Sequence, residues 1–410
     1  MKTTNIKNPG PVRSKERHVI LDVLRGLALF GICLANFPEF SLYAFLNSEV
    51  TSGMPTAAID LVVRYLQYIF IDGKFYTLFS LLFGIGFSII ISNAVRKQAN
   101  GFHIFYRRMA ILLIIGFLHL MFIWSGDILM LYALTGFFLP LFRNVSNRGL
   151  LIASAIFLLL PIGIDTVTAI TGLNPSAGVT RMQQYFCAKY GITGHNFGFW
   201  LRDADSYAEV FQFLIQGAFV RIQEFIDGNR IFKVMGLFLL GFYVGRNRLY
   251  VNLSGNKALL KKALFYGAIT GLPASVLYAW SALNSHPWGL TAHSVLYTVS
   301  VFPLGLAYAS ATCLWYLRHK ESPVFKILAA PGQMALTNYI GQSVWGFLIF
   351  YGVGFGFGAG MGLTYVLLIA TGVYATQILF SLLWLHYCRF GPLEWIWRML
   401  TYKKRLKLLK

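Results

Sequence analysis

The stretch LDVLRGLALFGICLANF, residues 21–37, decides the fold of this chain, because it has the length and apolarity of a membrane-spanning helix. Crossing the hydrocarbon core of a bilayer takes roughly 20 apolar residues. Asp22 and Arg25 lie one helical turn apart near its start, and Asn36 lies near its end. Polar groups are expensive at membrane depth, so they normally face the bundle interior. The sequence therefore predicts an inward-facing helix that lines a path between two compartments.

The composition of the whole chain also indicates a membrane protein. The 410 residues are 57% hydrophobic and 12% charged, with a mean hydropathy of +0.61. Soluble domains are about a quarter charged. The formal net charge of +20 is typical of basic cytoplasmic loops in membrane proteins. We therefore expect membrane lipids as partners and no nucleic acid.

Ten apolar segments of spanning length predict an all-α polytopic membrane protein with about ten transmembrane helices. Lys and Arg concentrate in the N-terminal arm, in the tail and in every second connection, which predicts that both termini are cytoplasmic and that the protein lies in a cell membrane. The segments are 19–38, 74–92, 105–125, 127–143, 150–171, 231–247, 259–281, 292–317, 333–352 and 361–388.

The same pattern divides the chain into five regions. We predict amphipathic helices on the outer side from AAIDLVVRYLQYIF, which begins at Ala57, and from YAEVFQFLIQGAFVRIQEFIDGNR, which begins at Tyr207. The regions are a cytoplasmic basic arm (1–18), an N-terminal five-helix half (19–171), an outer segment (172–230), a C-terminal five-helix half (231–388) and a basic cytoplasmic tail (389–410).

Polar residues at membrane depth are the candidates for chemistry. His119, near the end of the third segment, is a candidate general base, and Asp127 follows closely enough to orient it; the alternative is a buried structural histidine. Asp72 and Lys74 are interfacial charges or site residues. Asp22 and Arg25 form a helix-face pair or contact a ligand. The four cysteines have no metal-ligand spacing, so no metal is expected.

Several blocks resemble the YeiB family, bacterial membrane proteins with a C-terminal domain of unknown function. The resemblance runs along nearly the whole chain and places the protein in a bacterial plasma membrane. The blocks include LDVLRGLALFGICLANF, GKFYTLFSLLFGIGF, RRMAILLIIGFLHLMFIWSGDILMLYAL, LFLLGFYVGR, PGQMALTNYIGQSVWGFLIFYGVGFG and FGPLEWIWRMLTY.

YeiB-like proteins in turn resemble the transmembrane acyltransferases, which include heparan-α-glucosaminide N-acetyltransferase and bacterial O-acyltransferases. The shared LRG motif is Leu24, Arg25 and Gly26 here. The O-acyltransferases carry a catalytic histidine eleven residues after this arginine, at the position of Asn36. The heparan enzyme has asparagine there and a histidine in the next outer loop, whereas the matching PEFSLYAFLNSEV here has none.

This second resemblance implies acyl transfer from cytoplasmic acyl-CoA or acetyl-CoA to an envelope glycan or lipid-linked acceptor, and it implies a homodimer. His119 then acts as base with Asp127 or Asp72 orienting it, and Asn36 or Lys74 stabilises the oxyanion. The predicted donor-binding residues on the inner side are Asp22, Arg25, Arg107, Arg108, Asn338 and Gln342.

Two other classes of function stay open from the sequence. Ten spans with polar groups at both depths also suit a lipid or small-solute transporter or binding protein. The two histidines of the acyltransferases are absent at the matching positions, which is also typical of a catalytically inactive relative.

Overall fold

A computed structural model describes residues 18–96 and 100–410, and helices account for most of them. The predicted basic arm falls outside the described residues except for His18. The helices are α1 Val19–Phe40, α2 Ser48–Ser52, α3 Ala57–Phe70, α4 Lys74–Arg96, α5 Gly101–Phe122, α6 Leu129–Gly136, α7 Asn147–Thr171, α8 Ala177–Tyr190, α9 Trp200–Asp203, α10 Tyr207–Asp227, α11 Arg230–Arg246, α12 Lys257–Leu283, α13 Gly289–Arg318, α14 Pro323–Gln333, α15 Ala335–Phe350, α16 Leu363–Tyr387 and α17 Pro392–Tyr402.

Seven helical stretches among the described residues are long and apolar enough to cross a membrane. They are α1, α3 with α4, α5, α7, α12, α13 and α16. Large apolar side chains on their outward faces are exposed, for example Ile156 and Ile170 on α7 and Leu383 on α16. Such a surface is stable in lipid and not in water. The prediction of an all-α polytopic membrane protein is confirmed.

The other three predicted segments form shorter helices. Segment 127–143 becomes the eight-residue α6 and a 3-10 turn at Leu139–Phe142 that contains Pro140. Segment 231–247 becomes α11, which has 17 residues. Segment 333–352 begins at the end of α14 and continues in α15 after Met334. Apolarity alone predicted their position, but not the breaks at proline and glycine, where the helical hydrogen bonds are interrupted.

Three pairs of helices among the described residues pack closely, and two of these pairs join the N-terminal half of the chain to the C-terminal half. α1 lies along α14, α4 lies along α11, and α12 lies along α13. Glycines permit the closest approaches: a Cβ on Gly84 of α4 would lie 2.1 Å from the Phe238 carbonyl oxygen of α11. Small residues at such crossings let helix backbones approach in membranes.

Both predicted outer amphipathic segments are helical, as α3 and α10. α3 also caps the N-terminus of α16. The Asp60 carboxylate of α3 accepts hydrogen bonds from the backbone N–H groups of Leu363 and Thr364, at 3.0 and 2.8 Å. It further accepts from the Thr56 and Thr364 hydroxyls. The first N–H groups of a helix have no partner within the helix. Asp60 therefore satisfies the start of α16 from a remote part of the sequence.

We expect Asp60→Asn to lower the free energy of unfolding by about 1–3 kcal/mol, because an amide accepts fewer of these bonds and adds donors beside other donors. Thermal unfolding in nanodiscs measures this effect. The control is Asp203→Asn, an exposed carboxylate paired with Arg202, which should change stability by less than about 0.5 kcal/mol. Equal shifts for the two variants would contradict the capping role of Asp60.

Candidate functional site

The centre of the candidate site is a buried relay of three polar side chains. His119 Nδ1 lies 3.0 Å from Asp127 Oδ1, and His119 Nε2 lies 2.8 Å from Ser343 Oγ. The exposed fractions are 0% for His119 and Asp127 and 1% for Ser343. A histidine held between a carboxylate and a hydroxyl is the arrangement that activates a serine or a bound hydroxyl as a nucleophile.

Local chain geometry explains the His119–Asp127 pair. α5 ends at Phe122, one turn after His119, and the chain reverses before α6 begins at Leu129. Asp127 lies in this reversal, where its second carboxylate oxygen accepts from the Met130 backbone N–H at 3.0 Å. The Asp127 carboxylate thus caps the N-terminus of α6 and also contacts the His119 imidazole. The structure brings Asp127 within hydrogen-bond distance of His119, the proximity that the short spacing predicted.

Ser343 on α15 was not predicted from the sequence. It is 224 positions away from His119, so no local spacing connects the two residues. One turn earlier on α15, the Tyr339 hydroxyl accepts from the Ile128 backbone N–H at 3.2 Å, beside Asp127. The repeated polar positions in TNYIGQS, residues 337–343, were the available signal, since they place several polar groups on one short apolar helix.

Aromatic side chains close the relay toward the predicted outer side. Trp124 lies 6.2 Å from the His119 ring and stacks against Phe40 with ring centroids 4.4 Å apart. Tyr339 lies 5.5 Å from the same imidazole. These rings pack beside the imidazole, which is fully buried.

A charged group, which we call the outer ion cluster, also lies close to Trp124. It consists of Glu39, Arg221, Glu224 and Arg230. Arg221 lies 2.5 Å from Glu224 and 3.9 Å from Glu39, and its guanidinium is 5.9 Å from the Trp124 ring centroid. Arg230 lies 3.1 Å from Glu224. The cluster joins α1, α10 and α11 next to the covered relay, although sequence spacing did not identify it as a site.

The other predicted catalytic residues lie apart from the relay. Asp72 accepts a hydrogen bond from the Tyr278 hydroxyl at 2.7 Å and does not contact His119. Lys74 is fully buried and donates to the Tyr68 carbonyl at 2.6 Å. Asn36 is half-buried on α1 and makes no side-chain hydrogen bond to the relay. Asp127, and not Asp72, is the carboxylate in hydrogen-bond contact with the His119 imidazole.

The predicted inner-side arginines lie around the junction of α1, α5 and α17. Arg25 pairs with Asp22 at 2.8 Å. Arg107 donates to the Thr401 carbonyl at 3.0 Å. The Arg108 guanidinium stacks 3.6 Å from the Trp397 ring centroid and lies within electrostatic range of Arg25. These three cations therefore lie on two helices, α1 and α5, beside α17.

The predicted inner amides Asn338 and Gln342 take part in bonds between helices. Asn338 donates to the Pro331 carbonyl and the Ser381 hydroxyl, at 3.2 and 2.9 Å. Gln342 donates to the Leu29 carbonyl at 3.3 Å and to Gln377 at 3.2 Å. Both amides hold α15 against its neighbours and in this way fix the position of Ser343.

A second remote carboxylate supports the same helix. Glu394 of α17 accepts from the backbone N–H groups of Leu336 and Thr337, at 2.6 and 3.1 Å, and from the Thr337 hydroxyl at 2.6 Å. These bonds satisfy the first turn of α15. The GPLEW stretch therefore supports the helix that carries Ser343.

The fold and site together define an all-α multi-pass membrane protein with a buried carboxylate–imidazole–hydroxyl relay. Residues 244–404 match the family described as "Protein of unknown function (DUF418)". The chain is 31% identical over 402 residues to "Uncharacterized protein YxaH" of Bacillus subtilis, covering 96% of each protein. The chain belongs to the YeiB family, as its sequence blocks predicted.

Two further relatives cover similar lengths. "Uncharacterized 39.9 kDa protein in amylase 3'region" of Bacillus acidopullulyticus is 29% identical, over 97% of this chain and 98% of that protein. "Uncharacterized protein YeiB" of Escherichia coli is 28% identical, over 94% of this chain and 96% of that protein. No solved structure matches the chain.

Proposed function

We propose that this protein is a transmembrane acyltransferase that uses His119 as its acid–base group. The observation that carries the proposal is the position of the His119 imidazole between the Asp127 carboxylate and the Ser343 hydroxyl. Asp127 favours the tautomer that carries its proton on Nδ1, which leaves Nε2 as the base toward Ser343. Burial of all three groups excludes water, which would otherwise hydrolyse an activated acyl group.

The reaction divides into two balanced steps. First, His119 Nε2 takes the Ser343 proton while Oγ attacks the acyl thioester carbonyl; the C–S bond breaks and the thiolate leaves with that proton. Second, His119 takes the proton of an acceptor hydroxyl, which attacks the acyl-serine; the ester bond to Ser343 breaks, and Oγ recovers the proton. General acid–base catalysis of this kind contributes typically ~10²–10⁴-fold to a rate.

The inner arginines support acyl-CoA as the donor. Arg25 and Arg108 gather where a cytoplasmic phosphate group would arrive, and guanidinium groups bind phosphate through paired hydrogen bonds. Arg108 and His119 stand eleven residues apart on α5, which is about 16 Å at ~1.5 Å per residue. The flexible arm between the nucleotide and the thioester of acyl-CoA would span this length, with the acyl carbon next to Ser343.

The acceptor in this proposal is an envelope glycan or lipid-linked sugar at the outer face of a bacterial plasma membrane. The three relatives named above come from bacteria. The outer ion cluster lies beyond Trp124 and provides charged groups that can hold a polar acceptor while its hydroxyl approaches His119.

An assay of the purified full chain in nanodiscs tests the proposal. A panel of acyl-CoA thioesters, from acetyl to long-chain, is added, and two products are measured: free CoA thiol and acylated Ser343 by peptide mass spectrometry. We expect at least one donor to give both products. If no donor is bound or cleaved, acyl transfer is excluded; solute uptake without an acylated product would favour the transporter class instead.

A further inference from the structure

A second polar region, apart from the His119 relay, lies where α7, α11, α12 and α13 meet. We call it the Lys233 cluster and define it as Asp165, Lys233, Tyr278, His293, Tyr297 and Thr298. Tyr278 links its members on α12 and α13, with ring centroids 5.2 Å from His293 and 5.8 Å from Tyr297. Neither the family resemblance nor the acyl-transfer proposal uses this region.

Lys233 is the unusual member. It is 9% exposed on α11, and its ammonium lies 4.1 Å from the Tyr297 ring centroid. A ring face attracts the charge but accepts no directed hydrogen bond from the three N–H groups. Among the described residues, no oxygen or nitrogen atom accepts a hydrogen bond from this ammonium. A buried charge normally has both a counter-charge and hydrogen-bond partners.

The nearby carboxylates are already engaged. Asp165 accepts from the Asn229 side chain at 2.7 Å, and Asp72 accepts from the Tyr278 hydroxyl at 2.7 Å. The negative charges of these carboxylates reduce the cost of burying the Lys233 ammonium, but its N–H groups still have no hydrogen-bond acceptor. An additional oxygen-bearing acceptor would satisfy these donors.

Other polar atoms in this region also have no partner. On α13, His293 Nδ1 and Thr298 Oγ1 are buried without a hydrogen bond, and the same holds for Ser275 Oγ and Ser281 Oγ on α12. Most buried side-chain polar atoms in proteins have at least one partner. Several unsatisfied groups on two adjacent helices, of which His293 is in electrostatic range of Lys233, indicate an occupant that supplies the missing hydrogen bonds.

We propose that the Lys233 cluster binds the carboxylate or phosphate group of a polar ligand that arrives from the outer side. An anionic oxygen accepts charge-assisted hydrogen bonds from an ammonium, which are about twice as strong as neutral ones. Arg230 lies one turn before Lys233 on α11 and pairs with Glu224 of the outer ion cluster at 3.1 Å. It is in electrostatic range of Tyr297 and Lys233, so two cations lie close together here. This binding does not require His119 or acyl transfer.

Thermal unfolding of the full chain in nanodiscs at pH 7 tests the proposal with four probes: sodium acetate, sodium phosphate, short-chain phosphatidic acid and glycerol. Sodium chloride at equal ionic strength is the reference. We expect an anionic probe to raise Tm by several degrees, glycerol to have no such effect, and Lys233→Met to lose the rise. Lys189→Met on α8, whose ammonium also lies over aromatic rings, should retain it.

The anionic probes distinguish the source of the group. A rise with acetate or phosphate identifies a soluble anion, and a rise with phosphatidic acid alone identifies a lipid headgroup. Equal effects of glycerol and the anions, no rise with any anion, or a full rise in Lys233→Met would overturn the proposal.

A second measurement uses the unaltered protein, in case Lys233→Met does not fold. The chain is labelled with an amine-acylating reagent with and without the stabilising anion, and each lysine is quantified by mass spectrometry. At ten times the Kd, mass action predicts about tenfold slower labelling of Lys233, with no change at Lys189. Equal labelling rates at Lys233 would contradict anion binding there.

Discussion

Replacing His119 by alanine is expected to lower the rate of acyl transfer by about 10²–10⁴-fold, the usual contribution of a general base. Ser343→Ala should abolish the acyl-serine adduct, because no oxygen remains at the attacking position. Asp127→Asn should lower the rate while leaving donor binding intact, since the amide no longer favours the productive imidazole tautomer. Initial rates of CoA release and the Ser343 peptide mass provide the measurements.

His103→Ala is the matched control for this series. His103 lies on the same helix as His119 but is exposed near the inner end of α5. It should retain the full rate. A purely structural relay predicts a different result: His119→Ala and Ser343→Ala would lower Tm, yet the protein that remains folded would transfer at the rate of the unaltered chain. Normalising activity to folded protein separates the two outcomes.

Gly26→Ala is expected to be strongly destabilising, because α1 and α14 touch backbone to backbone at this point. A Cβ on Gly26 would lie 1.9 Å from the Leu328 carbonyl oxygen, and a Cβ on Gly332 would lie 1.9 Å from the Asp22 carbonyl oxygen. Neither obstacle is a flexible side chain, so the helices must separate. Overpacking typically lowers the free energy of unfolding by ~1–3 kcal/mol and occasionally by more. We expect the upper end of this range for Gly26→Ala.

The control is Gly86→Ala on α4, where an added Cβ meets nothing within 4 Å. Alanine has a higher helix propensity than glycine by up to about 1 kcal/mol, so this variant should be neutral or slightly more stable. Thermal unfolding in nanodiscs and the yield of monodisperse protein report both effects. Similar Tm values for Gly26→Ala and the unaltered chain would show that the contact between α1 and α14 is looser than described.

The glycine of the LRG motif thus has a physical explanation that is independent of chemistry. Gly26 permits the contact between α1 and α14, while Arg25 pairs with Asp22 on the same helix. The sequence left a helix-face pair of Asp22 and Arg25 as one of two alternatives, because residues three apart share a helix face. It did not predict the packing partner of Gly26, since α14 lies about 300 residues away in the sequence.

The same distinction separates the predicted and unpredicted parts of the candidate site. His119 and Asp127 are close in sequence, so the end of one apolar segment and the start of the next were enough to predict their proximity. The position of Ser343 next to His119 depends on how α15 packs against the other helices. No local sequence pattern predicts this packing. Asn338 and Gln342 were correctly identified as inward-facing polar groups, but only the neighbouring helices reveal that they bond to Ser381 and Gln377.

The cap that Asp60 provides for α16 bears on biosynthesis. Asp60 and its Leu363 partner are 303 positions apart, so a ribosome delivers the carboxylate long before the helix that needs it. Before α16 is made, the Asp60 carboxylate has its bond from the nearby Thr56 hydroxyl but not those from Leu363 and Thr364. The start of α16 can be capped in this way only after nearly the whole chain has been synthesised, so the packing of α3 against α16 is completed late.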